Sequence, residues 1–111
     1  MFETTTQGAV SIISGDSPLK EDFLLEFMES FEDLLTIGQP MSVLDMSGIS
    51  LIDSEGLEML MDLQDKFYRR GGCLKLAAAN PLCSDILRVT NVEERFEVFD
   101  RLIDAVGSFV K

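Results

Sequence analysis

Apolar positions along this chain recur at two spacings, every second residue in some stretches and every third or fourth in others, which predicts alternating strands and helices. Phe2 to Gln7 is threonine-rich and β-prone, Gly8 interrupts it, and Ala9-Val10-Ser11-Ile12-Ile13-Ser14 resumes with β-branched residues. Two short runs about a glycine predict a hairpin, which Gly15-Asp16-Ser17-Pro18 closes off. Ser17 ahead of Pro18 reads as the cap and first residue of a helix running to about Ile37. Phe23, Phe27, Phe31 and Leu34 form one stripe of that helix, Leu24, Met28 and Leu35 lie beside it, and Gly38-Gln39-Pro40 ends it.

Ser42-Val43-Leu44-Asp45 then predicts a central strand, and Ser47-Gly48 a turn after which Ile49, Leu51 and Ile52 return to the core. A second helix starts at Asp53-Ser54 and runs to about Arg69-Arg70, with Leu57, Leu60, Met61, Leu63, Gln64 and Phe67 on its inner stripe. Lys66, Arg69 and Arg70 fall in its last turn, where the helix dipole favours cations, and Gly71-Gly72 stops it. Cys73 to Ala78 predicts a strand and Asn80-Pro81 opens a short helix bearing Leu82, Ile86, Leu87 and Val89. Phe96 to Phe99 alternates as a strand, and Arg101 to Val110 is a last helix. The order ββαβαβαβα predicts an α/β domain. Its mixed, mostly parallel sheet has about five strands, the N-terminal one antiparallel, packed with about four helices.

Composition narrows what such a domain does. The 111 residues suffice for one core, and 46% are hydrophobic, so the chain folds. Twenty acidic residues against nine basic ones give a net charge of −11, which argues against nucleic acid and against anionic membranes. An acidic surface suits encounter with a basic protein partner, and equally suits solubility alone. The strongly acidic face of the first helix, Glu21, Asp22, Glu26, Glu29, Glu32 and Asp33, carries the same two readings. No apolar run is long enough to span a membrane, and the N-terminal residues lack a signal peptide's basic and apolar regions, so a cytoplasmic location is expected. The chain has no histidine and two cysteines, Cys73 and Cys83, which removes the usual general base and makes zinc binding and a disulfide framework poor expectations.

The chemically specific stretch is Leu44 to Leu57, where Ser54 sits between Asp53 and Glu55 at a helix start. A serine there is an ordinary N-cap. It is equally a place where a phosphate is tolerated, beside free backbone N–H groups and the positive end of the dipole, adding about −2 charge at an exposed tip. Gly56 is a poor helix former and is better explained by a close approach to its backbone. Asp53 is either a carboxylate stabilised by the helix start or a group that orients the Ser54 hydroxyl. Asp45, at a strand end, is expected to hydrogen-bond the loop that leads to Ser54.

Val43-Leu44-Asp45-Met46-Ser47-Gly48-Ile49 followed by Leu51-Ile52-Asp53-Ser54-Glu55-Gly56-Leu57 resembles the signature of STAS domains, most closely bacterial anti-sigma factor antagonists. In that pattern a strand, Asp-Leu-Ser, a short apolar step and Asp-Ser-Ser/Thr-Gly-Leu follow one another. The Ser14-Gly15-Asp16 turn, the Arg70 to Leu76 step and the Phe96 to Phe99 strand also fall where the family has counterparts. The resemblance implies one STAS-like domain over residues 1–111, not an enzyme, without cofactor, metal or catalytic residues of its own. It implies an anti-sigma factor serine kinase as partner, with ATP and magnesium on the kinase, and a PP2C-type phosphatase that reverses the modification. The phosphorylation site carried over is Ser54. The partner-binding residues carried over are Asp16, Asp45, Ser47, Asp53, Ser54, Glu55, Gly56 and Leu57. Glu55 departs from the pattern, standing where the family usually has Ser or Thr. Its carboxylate adds repulsion against a phosphate, about 0.3–1 kcal/mol at such exposure, and partly imitates the modified state.

Three other readings compete. A STAS subunit of a transport or other signalling complex, never phosphorylated, has the same fold. A response-regulator receiver needs an acidic cluster after its first strand and a late lysine, whereas Asp16 stands alone and Lys75 comes too early. A small enzyme using Asp45, Asp53 and Glu55 lacks histidine, a glycine-rich pocket loop and a metal set.

Overall fold

Five strands form one sheet in the order in which they occur in the chain: β1 (Phe2–Gln7), β2 (Val10–Gly15), β3 (Met41–Asp45), β4 (Cys73–Ala77) and β5 (Val98–Phe99). β1 and β2 pair antiparallel through the Gly8 turn, whose φ is +61°, and every later pair is parallel. The computed structural model describes residues 1–110; Lys111, the last residue of the expected 1–111 domain, lies outside the described residues. The helices are α1 (Leu24–Glu29), α2 (Ser54–Arg69), α3 (Pro81–Val89) and α4 (Leu102–Gly107). Parallel strands laid down in sequence and joined by crossovers of one hand place the connecting helices on one face. α1, α2 and α3 accordingly share a core with Ile13, Leu44, Leu74 and Leu76. α4 covers the other face, where Ala105 and Val106 meet Val10, Ile12, Val43 and Ala77. Among the described residues, the expected single α/β domain with a mixed five-stranded sheet and four helices is the one observed.

Aromatic packing links the edge strand to the central helix. Phe2, Phe27, Phe31 and Phe67 meet edge-on in succession, with ring centroids 5.1, 5.2 and 6.0 Å apart. Gln64, on the apolar stripe of α2, is fully buried and satisfied: its amide donates to the Leu74 and Arg95 carbonyls and accepts from the Leu74 N–H, each at 2.9 Å. A buried polar side chain bonded at both ends ties α2 to β4 at little net cost.

The first helix is where sequence and structure part. The expected run from Pro18 to about Ile37 is a short 3-10 turn (Glu21–Phe23), α1, and a second 3-10 turn (Leu34–Thr36). Ser17 does not cap it. Like charges along the acidic face oppose a continuous helix, and the Ser30 hydroxyl bonds back to the Phe27 carbonyl at 2.5 Å. The start is displaced by a tertiary bond. Leu19 is extended and forms a parallel bridge with Ile52: its N–H donates to the Leu51 carbonyl at 2.9 Å, and its carbonyl accepts from the Asp53 N–H at 3.0 Å. A residue paired on both sides cannot sit in a helix.

The later elements match more closely. β5 is shorter than the expected Phe96 to Phe99 run, because Phe96 turns into the core after a 3-10 turn at Val92–Arg95. α4 ends at Gly107 rather than Val110. Ala78 leaves β4 with φ +61°, ending the strand one residue early.

Gly56 lies in the first turn of α2 against the Leu19 bridge. A Cβ there would drive into the Leu19 carbonyl and the Ile52 side chain. The close approach expected from the sequence is therefore made from inside the protein. Gly56→Ala is expected to lower stability by about 1–3 kcal/mol, although alanine is the better helix former. Urea unfolding measures this as a lower midpoint at unchanged slope; an unchanged midpoint would mean that the Leu19 segment yields.

Candidate functional site

Strands β2, β3 and β4 end at the same edge of the sheet, and α2 begins there. Open parallel sheets gather functional groups at this edge. The Asp45 carboxylate accepts from the Ser47 N–H at 3.0 Å, the Met46 N–H donates to the Ala77 carbonyl at 2.8 Å, and the Ile49 N–H donates to the Met46 carbonyl at 3.0 Å. These bonds close the turn at Ser47-Gly48, as expected for Asp45. Gly48 packs on the Gly15 carbonyl so closely that a Cβ would collide with it, which sets Asp16 beside the turn.

Asp16 is exposed and pairs with the Met1 ammonium at 2.5 Å; the ammonium also donates to the Ser17 hydroxyl at 2.7 Å. The hydrogen bond to Met1, then its charge, hold the Asp16 carboxyl below the usual carboxylate range, and the same bond raises the Met1 ammonium. The shallow cleft here, about 210 Å³, is lined by Met1, Glu3, Ser14, Gly15 and Asp16 and does not include Ser54. It is smaller than an ordinary small-molecule pocket.

Ser54 is the first residue of α2 rather than its cap. Asp53, extended at φ −95°, caps the helix: its Oδ1 accepts from the Gly56 N–H at 2.9 Å, and its backbone carbonyl accepts from the Leu57 N–H at 3.0 Å. The reading of Ser54 as an N-cap is therefore corrected. Two oxygens compete for the amides at a helix start, and the Leu19 bridge fixes Asp53 one residue earlier in extended geometry, where its side chain reaches them. The Ser54 hydroxyl is left exposed, and its hydrogen bond is to Oε2 of Glu55 at 3.2 Å. The Ser54 and Glu55 N–H groups sit where no intrahelical acceptor exists, at the positive end of a 16-residue helix.

The structure thus gathers Asp16, Asp45, Ser47, Asp53, Ser54 and Glu55 at one end of the domain. Asp16, Ser47, Ser54 and Glu55 are exposed there, whereas Asp45 and Asp53 are half-buried and bonded to backbone. Gly56 is buried, and Leu57 packs against the core. Leu19 carries no signal in the sequence, because it acts through its backbone. Burial pushes both thiols up, Cys73 and Cys83 alike, which makes them poor nucleophiles. Among the described residues, no three His, Cys, Asp or Glu side chains are placed to hold a metal, and no helix is long and apolar enough to cross a membrane.

The family model for the STAS domain matches residues 1–105. No curated protein matches the sequence. Among solved structures, one from Thermotoga maritima described as an anti-sigma factor antagonist superposes with a TM-score of 0.89 at 21% identity, over 96% of this chain and 92% of that one. SpoIIAA, an anti-sigma factor antagonist in its unphosphorylated form, superposes at 0.79 with 11% identity, over 98% and 96%. The murine Slc26a9 anion transporter in its inward-facing state superposes at 0.77 with 25% identity, over 88% of this chain and 17% of that one.

Because Asp53 is the cap, Asp53→Ala is expected to cost about 1 kcal/mol of stability, whereas Ser54→Ala stays within about 0.5 kcal/mol of wild type. Urea unfolding of both variants measures the difference; the reverse order would return the cap to Ser54.

Proposed function

Since the chain belongs to the STAS domain family, we propose that it is a non-enzymatic partner-switching regulator, an anti-sigma factor antagonist. It binds an anti-sigma serine kinase at the edge bearing Asp16, Ser47, Ser54 and Glu55, and phosphorylation of Ser54 ends the complex. ATP and magnesium belong to the kinase, a PP2C-type phosphatase restores the free hydroxyl, and the exchange takes place in the cytoplasm. The observation that carries this reading is the division of labour at the start of α2. Asp53 caps the helix through the Gly56 N–H, so the exposed Ser54 hydroxyl can be esterified without uncapping the helix. A phosphate there meets free N–H groups and the favourable end of the dipole, so the domain stays folded. About −2 charge at an exposed tip then repels a docked partner and obstructs it by bulk.

Glu55 modifies the switch. Its carboxylate accepts a hydrogen bond from the Ser54 hydroxyl at 3.2 Å, which biases the rotamer and places negative charge where the phosphate would go. The kinase works against that charge. A second reading, a STAS domain of a transport assembly without phosphorylation, is favoured by the 25% identity to the murine transporter over 88% of this chain.

Incubation with the cognate kinase and labelled ATP should place an acid-stable phosphate on Ser54. No incorporation would favour the transport reading, and a hydroxylamine-sensitive acyl phosphate would indicate an aspartate acceptor. Ser54→Ala should retain kinase binding in titration calorimetry while Ser54→Asp binds more weakly; equal affinities would remove the switch. Glu55→Ser should raise the phosphorylation rate about two- to fivefold, the effect of one removed like charge at a helix end; an unchanged rate would make Glu55 a neutral surface residue.

A further inference from the structure

Resting on the reading of Ser54 as the regulated group, we infer that Asn80 is a positioning residue for it, strapping the irregular segment that leads into Ser54 to the first turn of α3. The Asn80 side chain works at both ends. Its Oδ1 caps α3 by accepting from the Cys83 N–H at 2.7 Å. Its Nδ2 donates to the Ile49 and Ser50 carbonyls, each at 3.2 Å. The Cys83 thiol, 3.5 Å away, donates to the same Ile49 carbonyl. Residues 49–53 contain no helix or strand, only the Leu19–Ile52 bridge, so the Ile49 and Ser50 carbonyls find their donors at the start of α3, on its cap Asn80 and on Cys83.

From this strap the bonds continue to the helix start. The Leu51 carbonyl accepts from the Leu19 N–H, the Leu19 carbonyl accepts from the Asp53 N–H, and Asp53 Oδ1 accepts from the Gly56 N–H. Ser54 lies inside the last of these links. Asn80 is presented by a constrained backbone: Ala78 adopts φ +61°, a region that suits glycine, while its N–H donates to the Phe99 carbonyl at 3.0 Å. An amide is suited to this position because it caps a helix and donates two hydrogen bonds at once. Serine and aspartate cap as well but cannot supply both donors. Asn80 does not touch the Ser54 hydroxyl, so it governs how the acceptor is presented rather than the transfer of the phosphoryl group.

Asn80→Ser and Asn80→Asp in the full chain keep the cap and lose the strap, which separates the two roles. Native-state amide exchange should be about three- to tenfold faster at Leu19 and Asp53 in both variants, as expected for one or two lost hydrogen bonds, with Leu87 in α3 unchanged. In steady-state phosphorylation of the same variants, the kinase KM should rise by a comparable factor while kcat holds. Unchanged exchange at Leu19 and Asp53 overturns the strap. Faster exchange with an unmoved KM overturns its link to Ser54. A wild-type chain that accepts no phosphate overturns the Ser54 reading itself, and is told apart from failure of the strap because exchange is measured without kinase.

Discussion

One backbone residue, Leu19, sets the geometry on which the functional end depends. Its N–H and carbonyl are both taken by the segment before α2, at 2.9 and 3.0 Å. That pairing delays the first helix, which cannot include a residue bonded in extended conformation. It requires glycine at position 56, since the Leu19 carbonyl occupies the space of a Cβ. It also fixes Asp53 in extended geometry, from which its carboxylate reaches back to cap α2. The exposed hydroxyl of Ser54 is the outcome of these three effects together.

The sheet gives this arrangement a rigid base. Strands in sequential order leave α1, α2 and α3 on one face, where Phe27, Leu60, Leu63, Phe67 and Leu87 share one core. α4 seals the other face over a smaller cluster. There Lys75, nearly fully buried, is satisfied by the Ser108 hydroxyl at 2.7 Å, the Glu97 carboxylate at 3.1 Å and the Phe109 ring at 4.0 Å. A buried cation with this set of partners anchors the end of α4 to β4 and β5. Cores on both faces hold the edge that carries Asp16, Asp45 and the start of α2.

The switch proposed for Ser54 is electrostatic and needs no change of fold. The N-terminal end of α2 accommodates negative charge, and Glu55 already supplies one. A phosphate therefore alters what the partner meets more than it alters the domain itself. Glu21, Asp22, Glu26, Glu29, Glu32 and Asp33, in and around α1, are all exposed and add to the negative surface charge.

Much of this was legible in the sequence because periodicity and turn residues report local physics. The hairpin about Gly8, the long α2 with its basic last turn, the Asn80-Pro81 helix start and the succession of strands and helices along the chain follow from side-chain spacing and backbone preference. So does the chemistry of the Asp53-Ser54 step, as a place where a hydroxyl meets a helix end. Three things were decided by tertiary structure. Leu19 acts through peptide groups that every residue possesses, so no side-chain pattern announces it, and the helix expected from Pro18 starts late in consequence. Asp53 and Ser54 are both competent caps by residue type, and only the bridge to Leu19 determined which one is used. Asn80-Pro81 marks a helix start in the sequence and nothing more, because two of the Asn80 hydrogen bonds reach carbonyls some thirty residues away in the chain. Local sequence specifies which groups can bond; the fold decides which of them meet.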